Sequence, residues 1–100
     1  MTGEKIAGAL GLCRRAGKIT VGAFLVKEEI RRNQEGIVLL AEDAKANTEK
    51  KILPAASLAG IPCHRIVLTK KELGECMGKD GEVPCVFVPR EFVNLVLASL

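Results

Sequence analysis

The chain has 100 residues, 48% of them apolar, a formal charge of +3 and three aromatic side chains, all Phe. That is the size of one domain, over residues 1–100, with enough Val, Ile, Leu and Ala to build a core without disulfide staples. Its pI near 8.8 lies well short of a disordered nucleic-acid tail, so an anionic partner is allowed but not required.

No apolar run approaches the ~20 residues of a membrane span. The start, Met1-Thr2-Gly3-Glu4-Lys5, lacks the basic-then-apolar pattern of a signal peptide. A cytoplasmic protein without a membrane partner is therefore expected. Cys13, Cys63, Cys76 and Cys85 contain no C-x-x-C pair and read as small core hydrophobes rather than metal ligands or disulfides. His64 follows Cys63, but neighbours on a strand face opposite ways, so His64 is expected to be a half-exposed strand residue.

In chain order, Thr2 can cap a first helix whose stripe is Ile6, Leu10 and Cys13. This helix should end near Ala16, with Gly17 as a left-handed cap and Arg14, Arg15 and Lys18 around its carboxyl end. Ile19-Thr20-Val21 is a short strand beside a larger sheet. Gly22 opens a second helix to about Asn33, with Ala23, Val26 and Ile30 toward the core. Phe24 falls on the opposite side with Lys27, Glu28 and Arg31, either tucked against the preceding turn or offered to a partner.

Ile37 to Ala41 is a continuous apolar strand, which predicts parallel neighbours and helices on both faces. Glu42-Asp43 follow at its carboxyl end. Asn47 is a candidate cap for a third helix, Pro54 should kink it or mark a late start, and Gly60-Ile61-Pro62 stop it. Cys63 to Leu68 is the next strand. Thr69 to Glu72 has capping-box spacing for a short helix through Leu73, Cys76 and Met77, ended by Gly78. After the polar turn Lys79 to Glu82, Val83 to Val88 forms the last strand, with Pro84 at its start or on an edge. Pro89 suits the first turn of a closing helix with Phe92, Val93, Val96, Leu97 and Leu100 as its core stripe. The alternation predicts an α/β protein, a three-layer α/β/α sandwich around a small mixed sheet.

Gly17-Lys18 does not belong to a phosphate-binding P-loop. The first glycine of that motif would fall at Leu12, and Ile19 occupies its hydroxyl position. There is no Ser/His/Asp set, and only Glu42-Asp43 offers a metal or phosphoryl-transfer alternative; acidic residues there also cap turns. Cations from Arg14 to Arg31, the glycine-opened helix start and Phe24 together suit structured RNA, with a solvated basic face as the competing reading.

Four stretches carry a resemblance: Arg15 to Lys18 with Gly22; Ile37 to Ala44, followed by Ala46-Asn47-Thr48; Ile61-Pro62; and Glu72 to Asp80. Their order and separations resemble the L-seven-Ae ribosomal protein family, and most of all its bacterial YlxQ-like branch. The resemblance implies the same sandwich, binding of kink-turns (sharply bent internal loops of RNA duplexes), and a place near ribosomes or structured RNA. No enzymatic activity, cofactor, metal or DNA partner is expected.

In the family, the helix-opening glycine precedes a Thr-Asn-Glu motif and a Lys three residues past the Glu. Here Gly22 is retained, but those positions hold Ala23, Phe24, Leu25 and Glu28, with Lys27 one residue from the missing cation. An aliphatic residue that covers a flipped-out base corresponds to Lys79. Asn and Glu present donors and acceptors to base edges, whereas Phe24 and Leu25 supply stacking or packing. The expected RNA-binding residues are Arg15, Lys18, Gly22, Phe24, Leu25, Lys27, Glu28, Arg31 and Lys79. Of these, Lys18, Lys27 and Lys79 neutralise phosphates, Gly22 permits close approach and Phe24 stacks or wedges. The expected partner is structured, kink-turn-like or ribosomal RNA, with a ribosomal protein as a further partner. The alternative is a protein-interaction module on the same fold, with Phe24 and Leu25 as an apolar anchor.

Overall fold

The apolar periodicities resolve into helices α1 (Thr2–Arg15), α2 (Ala23–Arg31), α3 (Ala46–Ala59), α4 (Lys70–Cys76) and α5 (Arg90–Leu97), among the described residues. Between them run strands β1 (Thr20–Val21), β2 (Gly36–Leu40), β3 (Cys63–Arg65) and β4 (Cys85–Pro89). This is a computed structural model that describes residues 2–32 and 35–100. The end of the second helix expected at Asn33, and the capping role expected of the Thr2 side chain, lie outside what is described.

The sheet is mixed, in the order β1-β4-β2-β3. β4 runs antiparallel to both β1 and β2, and β2 runs parallel to β3. The expectation of parallel neighbours for β2 therefore holds on one side only. Burial on both faces is what makes β2 uniformly apolar, and β4, also central, reads the same way: Val38, Leu39, Val86 and Val88 are all inaccessible to solvent. α2 packs on α3, while α1 packs on α4 and α5, one group to each face. The result is the expected three-layer sandwich.

Local chemistry sets several of the helix ends. Thr69 and Glu72 form a reciprocal capping box: the Glu72 amide donates to Thr69 Oγ1 at 3.1 Å and the Thr69 amide to Glu72 Oε1 at 2.9 Å. α1, α3 and α4 close with glycines at positive φ and six-to-one hydrogen bonds, Lys18 N to Cys13 O, Ile61 N to Ala56 O and Lys79 N to Gly74 O. Asp43 Oδ1 accepts from the Lys70 amide at 2.7 Å, so this carboxylate serves the first turn of α4.

Several boundaries differ from expectation. α3 starts from Lys45, without a side-chain cap, and Asn47 and Pro54 both lie inside it. β3 stops at Arg65, short of the expected Leu68, although the Ile66 amide still donates to Leu40 O and the Glu42 amide to Leu68 O; the Arg65 side chain reaches the Ala41 and Glu42 carbonyls, at 3.1 and 3.0 Å, and Glu49. Ile66 and Leu68 then enter the core outside the strand, leaving Val67 exposed. β4 begins at Cys85, since Pro84 has no amide to donate and contributes only its carbonyl, which accepts from Ala41 N. Pro89 is the cap of α5 rather than a residue of its first turn. Leu97 and Leu100, expected in the core, are 40% and 46% exposed.

The four thiols are free; Cys13 and Cys85 are buried, Cys63 and Cys76 half-buried. Burial, helped by the nearby Cys63 thiol, pushes Cys85 up to about 12, and burial also raises the other three. Raised values keep these sulfurs protonated near neutral pH, as fits packing rather than reactivity.

One close approach shapes the loop after α4. A Cβ at Gly74 would collide with the Gly81 carbonyl, so only glycine lets the turn before β4 fold back on this helix. Gly74→Ala should lower stability by about 1–3 kcal/mol, despite the ~1 kcal/mol that alanine gains in helix propensity. Chemical denaturation checks this; a stabilised variant would show that the turn yields freely.

Candidate nucleic-acid interface

The start of α2 is tied to the centre of the sheet. Thr20 and Val21 pair with Phe87 and Val86 of β4, and the Gly22 amide donates to the Cys85 carbonyl at 3.0 Å. Gly22 then turns at φ 95, ψ 151, a region that side-chain-bearing residues rarely enter. No side chain caps α2, which leaves first-turn amides without intrahelical partners at this end. Val26 and Ile30 face the core, half-buried Ala23 packs beside them, and Phe24 and Leu25 are 76% and 53% exposed. Phe24 is therefore not tucked against the preceding turn.

An open groove of about 540 Å³ runs along this end of the molecule. Its walls are Ile19 to Val21, then Phe24, Leu25, Glu28, Glu29 and Arg32 of α2 and its cap, and Lys79 from the loop after α4. The structure thus brings Phe24, Leu25, Glu28 and Lys79 together across a wide gap in sequence. Gly22 stands at the head of α2 beside them.

The remaining expected residues lie around the groove. Half-buried Lys27 and exposed Arg31 share the outward face of α2. Arg31 pairs with Glu28 at 3.6 Å. Lys18 lines an adjacent hollow of about 450 Å³ and sits 3.9 Å from Glu91. Arg15 is exposed at the end of α1. Such exposed pairs are worth at most about 1 kcal/mol, so Lys18 and Arg31 can exchange their carboxylates for phosphates.

Two basic residues here were outside the expected set. Arg32 lines the groove and pairs with Glu29 at 3.5 Å; its charge was the only signal. Arg14 belongs to the basic cluster visible in sequence, but α1 alone does not show that its guanidinium lies against Gly78. Elsewhere, no three His, Cys, Asp or Glu side chains converge as a metal would require, among the described residues. No described helix is long and apolar enough to cross a membrane.

Known proteins resemble this chain in sequence and in fold. The chain is 34% identical over 100 residues to the RNA-binding protein YlxQ of Bacillus subtilis (strain 168), covering all of this chain and 99% of that protein. It is 29% identical over 87 residues to large ribosomal subunit protein eL30 of Euphorbia esula, covering 87% of this chain and 78% of that one. A solved protein of unknown function from Bacillus halodurans superposes with a TM-score of 0.84 at 28% identity, covering 95% of each chain. The Giardia lamblia 15.5kD RNA binding protein shares the fold at a TM-score of 0.75 and 17% identity, over 99% of this chain and 90% of that one. Those relatives named for a role are RNA-binding or ribosomal proteins, not enzymes. With a family-wide sequence match over residues 4–94, the chain belongs to the Ribosomal protein L7Ae/L30e/S12e/Gadd45 family.

Proposed function

We propose that this protein is a single RNA-binding domain over residues 1–100, acting in the cytoplasm. It docks on structured RNA, kink-turn-like or ribosomal, through the Gly17 to Arg31 face and the Gly78-Lys79 loop. The observation that carries this reading is the groove that unites Phe24, Leu25, Glu28 and Lys79 beneath the glycine-opened end of α2. Family membership supplies the class of ligand. The groove supplies a base-sized apolar wall, with Lys18, Lys27 and Arg15 placed around it for phosphates and Gly22 allowing the backbone to approach closely.

Binding of a synthetic kink-turn RNA should weaken with salt, with a slope of roughly 0.7–0.9 per phosphate neutralised. The double variant Lys18→Ala, Lys27→Ala should flatten that slope by about two phosphates' worth. A signal indifferent to salt, or no retention of kink-turn or ribosomal RNA at low salt, would rule the reading out.

A second reading is favoured by one feature. Phe24 and Leu25 are adjacent, apolar and exposed, and where the family reads base edges they offer no hydrogen-bonding groups. On that reading the same surface anchors a protein, a ribosomal protein among the candidates.

A further inference from the structure

The cations at this end of the molecule are not equivalent. Lys18, Arg31 and Arg32 each have a carboxylate within 4.0 Å. Among the described residues, no carboxylate lies that close to Arg14, Arg15, Lys27 or Lys79. Of these four, Arg14 and Lys79 are exposed and meet at one loop.

Arg14 is also held in place. α1 and α4 pack together, and at their carboxyl ends the Arg14 guanidinium lies on Gly78. A Cβ at Gly78 would fall 2.5 Å from Arg14 Cζ and 3.1 Å from its Nε, and φ there is +67. Glycine thus serves two needs: it takes the left-handed turn that closes α4, and it leaves open the space the guanidinium fills. The negative end of the α4 dipole favours a cation at that spot. The next residue is Lys79, which faces the groove beside Phe24 and Leu25.

With Arg14 seated on Gly78 and Lys79 the next residue, an anion at this loop can draw on both charges. A guanidinium presents a planar fork that matches two phosphate oxygens, while an ammonium contributes a mobile point charge. We infer that Arg14, seated on Gly78, and Lys79 form a phosphate-binding clamp at the rim of the groove, gripping the RNA backbone next to the nucleotide that meets Phe24. This rests on the RNA-binding reading above and adds a site and a residue to it.

The test is the salt dependence of affinity for a synthetic kink-turn RNA and for a ribosomal RNA fragment, measured on wild type, Arg14→Gln, Lys79→Gln and Arg14→Lys. Each Gln variant should lower the slope by roughly 0.7–0.9, one phosphate, with thermal unfolding unchanged for Lys79→Gln and lowered by a few degrees at most for Arg14→Gln, which loses its charge at the end of α4. Arg14→Lys should keep the slope but bind several-fold more weakly, because the fork is lost. If Arg14→Gln shifts the unfolding temperature and leaves the slope at the wild-type value, Arg14 only braces the loop and the clamp is overturned. A wild-type protein that retains neither RNA at low salt overturns the clamp together with the RNA-binding reading. Salt-dependent wild-type binding with an unchanged Arg14→Gln slope overturns the clamp alone.

Discussion

Replacing Phe87 by alanine is expected to lower the unfolding free energy by about 3–5 kcal/mol. The ring is 2% exposed in a central strand, and its residue faces Thr20 on one side and Val38 on the other. It also lies over Gly36, where a Cβ would fall 2.7 Å from Phe87 Cζ and 2.9 Å from Cε1. No side chain at position 36 could grow to fill the resulting cavity without meeting the Val88 carbonyl. A loss of this size is a large part of the roughly 5–15 kcal/mol that stabilises an ordinary domain. It should also reach the candidate interface, because β1 joins the sheet through β4. Urea unfolding measures the first effect, and a cost below about 1 kcal/mol would contradict the packing described. Phe87→Leu, which keeps most of the volume, should lose much less.

Phe24→Ala carries the largest expected effect on binding. If the ring stacks on a base, RNA affinity should fall by ~1–3 kcal/mol, about 5- to 150-fold. The melting temperature should barely move, since the side chain is 76% exposed and lies outside the core. Phe24→Trp, with a larger stacking face, should restore or exceed wild-type affinity. If Phe24 instead anchors a protein, RNA affinity will stay within about twofold while that contact is lost. Measuring both on one variant separates the two readings, because a general folding defect would show in the melting curve.

What the sequence makes legible is local chemistry. The Thr69 to Glu72 box, the glycine stops at Gly17, Gly60 and Gly78, and the core stripe Ile6, Leu10 and Cys13 all appear where their side chains and backbone preferences place them. Decisions made by tertiary neighbours are not legible in that way. Cys63 to Leu68 reads as one strand, but regular pairing covers only Cys63 to Arg65, and beyond it single main-chain bonds, Ile66 N to Leu40 O and Glu42 N to Leu68 O, hold the chain to the end of β2. Asn47 has the chemistry of a cap, but the chain enters α3 two residues before it. The antiparallel pairing of β2 with β4 leaves no trace in an apolar run that reads the same for either direction. The candidate site follows the same division. Phe24 stands out from helical placement alone, whereas Arg14 becomes visible only once α1 and α4 are packed together.

The two outermost strands have a consequence for how anything can attach. β1 is two residues long and β3 three, and Pro62, directly before β3, has no amide to offer an incoming chain. Strand addition to a sheet draws its strength from a row of main-chain hydrogen bonds, and neither border has such a row. Copies of this protein therefore have little template for zippering together at high concentration. By the same geometry, recognition falls to side chains and helix ends, so a partner must complement the groove's shape and charge instead of extending the sheet.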